Sequence, residues 1–149
     1  MIETMRIAIC SSAEFARESQ EIKGKLEKKG LEALLYPQTV TISQNTMGVC
    51  EYYKMRKKEL TPEILEAKRQ LMNEHIEKIK TSDAVLILNF DKPQMKGYVG
   101  GNTFLEMGIA YCLGKKVFIW KKPSESLPYF EEIAAMKPFN IEENLEEIR

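Results

Sequence analysis

The sequence predicts a single α/β domain over residues 1–149, a doubly wound flavodoxin-like (Rossmann-like) fold with a parallel five-stranded sheet in the order 2-1-3-4-5. Three observations predict it. Ala84-Val85-Leu86-Ile87-Leu88 is an unbroken apolar run of strand length, as expected of a strand covered on both faces. A loop containing Gly97, Gly100 and Gly101 then leads into the mostly apolar helix of Thr103 to Ala110. Strand-like and helix-like stretches alternate through the rest of the chain, which is the pattern of parallel sheets with crossover helices.

Met5 to Cys10 reads as the first strand, and Phe15, Ile22 and Leu26 recur behind it at near-helical spacing. Ser11 with Glu14 has capping-box spacing, and Gly30 marks the helix stop. Leu31 to Tyr36 suits a second strand, closed by Pro37. Residues 38–60 have no clean period, and an excursion of that length after a strand is often a lid. Thr61-Pro62-Glu63 opens a long helix with Thr as N-cap and Pro at the first position. Its apolar stripe is Ile64, Leu65, Leu71, Met72, Ile76 and Ile79. The central strand and its helix follow, then Gly114, a buried strand over Lys115 to Trp120, a short helix over Tyr129 to Met136, a last strand over Pro138 to Ile141 and a terminal helix from Glu142.

Lys plus Arg and Asp plus Glu each number 22, so a zero net charge gives no reason to expect a nucleic-acid polymer or an anionic membrane as partner. No apolar run reaches the length of a membrane span. A chain of 149 residues can bury a core without staples. The three cysteines, Cys10, Cys50 and Cys112, are widely separated, and with one histidine and no Cys-x-x-Cys they give no expectation of a zinc site. The N-terminus shows no secretion signal, so a reduced, cytoplasmic setting and a small-molecule ligand are expected, with no cofactor.

In a doubly wound sheet ligands bind beyond the carboxyl ends of the strands, and a helix N-terminus there favours anions. Ser11 and Ser12 offer hydroxyls at that edge, for a phosphate or sugar or as plain helix caps. Tyr52, Tyr53 and Arg56 have the chemistry to hold a base or phosphate, or belong to a solvated basic face. His75 borders an apolar stripe, the usual place of a packed histidine. Glu106 falls in the first turn of the glycine-led helix. Thr103-x-x-Glu106 is a capping-box pattern, in which the carboxylate serves its own helix. A cap at Gly101 or Asn102 instead would free Glu106 to face the cleft. There a carboxylate kept ionised by the helix end can attack the anomeric carbon of a sugar as a base departs.

The run Ser82 to Asn89, then Gly101-Asn102-Thr103-Phe104-Leu105-Glu106-Met107-Gly108-Ile109-Ala110, then Gly114-Lys115-Lys116-Val117, resembles the nucleoside 2-deoxyribosyltransferase family, including its deoxynucleoside 5′-monophosphate N-glycosidase relatives. The resemblance covers residues 73 to 118 and is topological elsewhere. It implies that Glu106 is the nucleophile taking the deoxyribosyl group and that Glu74 lies near a base-contacting carboxylate. It also implies that Asn89, Asp91, Tyr98, Gly100, Gly101, Asn102 and Thr103 surround a nucleoside or nucleotide. A homo-oligomer with shared sites is implied as well. The chain departs from the family pattern in carrying Gly100 where transferases have an aspartate, Asn102 where glycine is usual, and Cys10-Ser11-Ser12 where the first strand usually ends in Ala-Gly.

The expected function is cleavage or transfer at the N-glycosidic bond of a deoxynucleoside or its 5′-monophosphate. The alternative is a non-catalytic nucleotide-binding or sensing module using the same cleft. An electron-transfer flavodoxin would need a longer phosphate loop than Ser11-Ser12.

Overall fold

The computed structural model describes residues 3–149. Five strands, β1 (Arg6–Cys10), β2 (Glu32–Leu34), β5 (Ala84–Ile87), β6 (Lys116–Ile119) and β7 (Phe139–Asn140), form a parallel sheet in the order β2-β1-β5-β6-β7. Two further strands, β3 (Thr39–Ile42) and β4 (Asn45–Gly48), pair only with each other. Counted within the main sheet alone, the strands therefore run 2-1-3-4-5.

Helix α1 (Ala16–Lys28) covers one face of the sheet, where Ile22 and Leu26 pack on Ile7, Ile9, Leu86 and Phe118. The other face is covered by α3 (Pro62–Lys80), α4 (Gly101–Cys112) and α5 (Phe130–Ala135), through Ile79, Met107, Ala110 and Ile133 on Ala8, Val85, Ile87 and Ile119. Both faces being dry explains why the β5 sequence is apolar without alternation. No helix among the described residues is long and apolar enough to cross a membrane.

Residues 38–60, which lack a period in sequence, form the β3–β4 hairpin and α2 (Val49–Lys58). The hairpin turn is Ser43-Gln44, both at positive φ (47° and 69°), the geometry that suits strand twist and usually recruits Asn-Gly. Without glycine there, the turn carries no sequence signature. Val40, Val49 and Tyr52 pack on Ile64, Ala67 and Leu71 of α3, a separate core that roofs the carboxyl edge of the sheet.

Three local expectations are corrected. Ser11 does not cap α1: its Oγ donates to the Leu88 carbonyl at 2.8 Å, while a 3-10 turn over Ala13–Phe15 precedes the helix. Glu142 to Arg149 is not a helix beyond the 3-10 turn Leu145–Glu147. Helix α4 begins at Gly101 with Gly100 as N-cap, two residues before Thr103. Thr61 caps α3 as expected, its Oγ1 accepting from the Ile64 N–H at 3.2 Å.

Candidate active site

The two central strands end together, Cys10 opposite Ile87, and the chain leaves both toward the same edge. Ser11 joins β1 to the extension of β5, and Asn89 joins β5 to β6. The Asn89 side chain is fully buried, its Nδ2 donating to the Lys121 carbonyl (2.9 Å) and its Oδ1 accepting from the Lys121 N–H (3.1 Å). Asp91 braces the next loop: Oδ1 accepts from the Gly97 N–H at 2.8 Å and Oδ2 from Lys121 Nζ at 3.0 Å. That N–H, together with Lys121, pulls the Asp91 carboxyl below the usual carboxylate range. Gly97 has φ +69°, and a Cβ there would lie 2.2 Å from the Lys122 carbonyl oxygen. The loop is thus fixed before α4 begins.

The early start of α4 moves Glu106 out of the capping-box position and out of the first turn. It stands in the second turn, 5% exposed, among side chains from three elements. Asn102 Nδ2, one turn earlier on α4, donates to Glu106 Oε1 at 2.8 Å. His75 Nε2, from α3, lies 3.0 Å from Oε2 and 3.5 Å from the Sγ of Cys10, the last residue of β1. As an acceptor, Oε2 has no hydrogen-bond partner among the described residues.

Burial dominates the electrostatics. It pushes the Glu106 carboxyl up to about 8, against the opposing pull of the Lys68 ammonium. Burial likewise drives His75 down to about 4, with the Lys78 charge adding to it. The Cys10 thiol is held well above its ordinary value by burial and by Glu106. Lys68 is lowered to about 8 by burial and by Arg56.

Two connected hollows lie at this edge. A cavity of about 30 Å³ is lined by Glu106, His75, Asn102, Lys68, Tyr53 and Ser11, among others. Beside it lies an open groove of about 500 Å³, within the range of small-molecule sites. Ser12, Thr103, Tyr98, Gly100, Gly101, Lys92 and Arg56 line it, and Asn102, Tyr53 and Ser11 form the wall shared with the cavity. The first N–H groups of α4 have no partner within the helix and face an edge rich in cations. Lys92 Nζ sits 3.7 Å from the Tyr98 ring centroid and reaches Glu14 at 2.7 Å.

Most of the residues expected from sequence meet here: Glu106, Ser11, Ser12, Tyr98, Gly100, Gly101, Asn102 and Thr103. Three do not. Asn89 and Asp91 are occupied in holding the loops. Glu74 points away on α3, is exposed, and faces Lys78 at 3.6 Å in a different groove. Tyr52 is a fully buried anchor whose hydroxyl donates to the Ile64 carbonyl, whereas Tyr53 and Arg56 do reach the groove. The Arg56 guanidinium lies 4.5 Å and the Lys68 ammonium 4.7 Å from the Tyr53 ring centroid, and Tyr53 OH is hydrogen bonded to Lys68 Nζ. Burial raises the Tyr53 phenol to about 12.

Sequence reasoning passed over Cys10 and Lys68. Lys68 was detectable: it falls four residues after Ile64 and three before Leu71, inside the apolar stripe. A lysine in that stripe needs a polar destination. Cys10 carried no such signal, because a buried thiol at the end of a strand looks like any small apolar residue.

No protein-family model and no curated protein matches the sequence. Among solved structures, the chain is similar to a 2-deoxyribosyltransferase from Leishmania mexicana, with 15% identity over 87% of this chain and 71% of that one and a TM-score of 0.48. A CMP N-glycosidase from Clostridium botulinum is 16% identical over 91% of this chain and 86% of that one, with a TM-score of 0.47. A 2-deoxyribosyltransferase from Bacillus psychrosaccharolyticus is 15% identical over 91% of this chain and 97% of that one, with a TM-score of 0.53. At that identity the likeness is one of architecture: over 91% of its length, this chain has the fold of the bacterial 2-deoxyribosyltransferase.

Proposed function

We propose that the protein breaks the N-glycosidic bond of a deoxynucleoside 5′-monophosphate or deoxynucleoside, with Glu106 as nucleophile. The observation that carries the reading is the position of Glu106: a buried carboxyl at the carboxyl edge of the sheet, beside a groove large enough for a nucleoside. The shared fold of a 2-deoxyribosyltransferase supports it. The α4 N-terminus, Ser12, Thr103 and Lys92 give the groove an anion-accepting end, which favours a 5′-phosphate there. The sugar then lies over the Asn102–Tyr53 wall with its anomeric carbon toward Glu106.

In the reaction the C1′–N bond breaks, its electron pair leaves with the base, and a Glu106 oxygen bonds to C1′. The departing base takes a proton, for which Lys68, on the same cavity and with its ammonium weakened by burial, is the donor at hand. Attack on C1′ by water, or by a second base, then breaks the bond to the Glu106 oxygen, and the proton of the attacking group returns to Lys68. Attack requires the ionised carboxylate, which the positive charge developing on the sugar stabilises in the transition state.

The test is chromatographic detection of free base from a panel of deoxynucleosides and their 5′-monophosphates, with and without acceptor bases. Base release by the wild type and its loss in Glu106→Ala and Glu106→Gln are expected. No release from any substrate would reject the reading. A second reading, a nucleotide-binding module without turnover, is favoured by the low exposure of Glu106. It predicts saturable binding that survives Glu106→Gln.

A further inference from the structure

We propose that Cys10, His75 and Glu106 form a binding site for a single zinc ion, which occupies the carboxylate and so blocks the groove's chemistry. The three ligand atoms come from β1, α3 and α4, are buried, and all lie within 4.8 Å of one another. Zinc bonds sulfur at about 2.3 Å and imidazole nitrogen at about 2.0 Å, so tetrahedral ligands of these kinds stand about 3.5 Å apart. Cys10 Sγ and His75 Nε2 are separated by 3.5 Å. A nitrogen–oxygen pair on the same ion needs about 3.3 Å, and His75 Nε2 and Glu106 Oε2 lie 3.0 Å apart. The third pair, Cys10 Sγ and the Glu106 oxygen, lies within 4.8 Å, against about 3.5 Å on a tetrahedral ion, so zinc is seated by side-chain adjustments of up to roughly an ångström.

A second observation points the same way. Glu106 Oε2 is buried and has no hydrogen-bond partner, although it faces both other ligands. In its ionised form this buried oxygen is costly, and a cation coordinated there removes the cost. The 30 Å³ cavity, which His75 and Glu106 both line, leaves space for a water as fourth ligand. One thiolate, one imidazole and one carboxylate suit zinc better than the harder magnesium or calcium ions. Coordination releases the thiol proton of Cys10 and the carboxyl proton of Glu106, where it is present, to solvent.

Such a site differs from a catalytic zinc centre in one respect: the ion takes the very oxygen that the proposed reaction needs. Zinc binding and base release are therefore mutually exclusive, but zinc binding itself does not depend on the protein being a glycosidase.

The experiment is titration of the reduced, metal-free protein with Co²⁺ as a spectroscopic stand-in, followed by displacement with Zn²⁺. One equivalent is expected to produce a sulfur-to-cobalt charge-transfer band with tetrahedral visible bands, both abolished by zinc. Cys10→Ser is expected to lose the charge-transfer band, and His75→Gln and Glu106→Gln to weaken binding at least tenfold. In parallel, zinc is expected to raise the melting temperature of the wild type and not of Cys10→Ser, which keeps the result readable if a variant is destabilised. Absence of the charge-transfer band in the wild type, or a band unchanged in Cys10→Ser, would overturn the proposal. A protein that binds zinc but releases no base from any substrate would leave this inference standing and reject the glycosidase reading.

Discussion

Asn102 and Glu106 lie one helical turn apart on α4 and share a 2.8 Å hydrogen bond from Asn102 Nδ2 to Glu106 Oε1. Asn102 also lines both the cavity and the groove, so it supports the carboxyl and separates it from the open space beside it. Asn102→Ala removes one donor and widens the opening. We expect base release to fall about tenfold while substrate binding changes little, since loss of one hydrogen bond to a charged group costs roughly 1.5 kcal/mol or more. Steady-state kinetics separating kcat from KM checks this.

Glu106 is a stability burden on the empty protein, for a buried carboxyl with one unpartnered oxygen destabilises the fold. Glu106→Gln is expected to raise stability by about 1 kcal/mol. A domain of this length then melts roughly 2–4 °C higher. Calorimetry on both proteins measures it, and a lower melting temperature would show that the carboxyl is satisfied in solution.

Gly97 has no room for a side chain. Gly97→Ala combines a left-handed backbone with a Cβ placed 2.2 Å from the Lys122 carbonyl oxygen. A loss of about 2–4 kcal/mol is expected in urea unfolding, comparable to overpacking a core. Gly101→Ala, at an open position, is expected to cost little stability, so any effect on ligand binding there is read directly.

Asn89→Ala unpairs the backbone N–H and carbonyl of Lys121 between β5 and β6. A cost of about 2–3 kcal/mol is expected, because a buried peptide group is left unsatisfied. Ligand affinity per folded molecule should be unchanged, which separates this residue from the groove. Equilibrium unfolding alongside binding to the folded fraction distinguishes the two effects.

The Asp91 carboxyl gives a pH dependence of known sign. Its pKa is depressed in the folded state by the Gly97 N–H and Lys121, so its contribution is present above the unfolded carboxyl pKa and is lost as pH falls through the folded value. Stability is expected to decline on acidification in that window, and Asp91→Asn to flatten the decline. Unfolding curves measured across the acidic range test the slope.

How much of this was legible in the sequence differs by region. The sheet was, because five apolar runs separated by helix signals leave few alternatives once parallel crossovers are required. The position of Glu106 was only half legible. Thr103 three residues before a glutamate imitates a helix start, while the true cap, Gly100, offers no side-chain signal at all. Asn89 and Asp91 had the chemistry of ligand contacts but spend it on the backbone of residues 97 and 121, partners that one-dimensional spacing does not reveal. Residues 38–60 were illegible as structure, since a glycine-free hairpin turn and a short helix of mixed character carry no period.

The roof built from that illegible segment packs on α3 rather than into the cores on either face of the sheet, with Tyr52 as its anchor. Its tip can therefore be rebuilt by mutation while the layers beneath keep their shape. Arg56 rides on it at the open groove, so substitution there can reshape the groove while the sheet and its loops stay as they are, whereas Tyr53 is tied through Lys68 to the inner cavity.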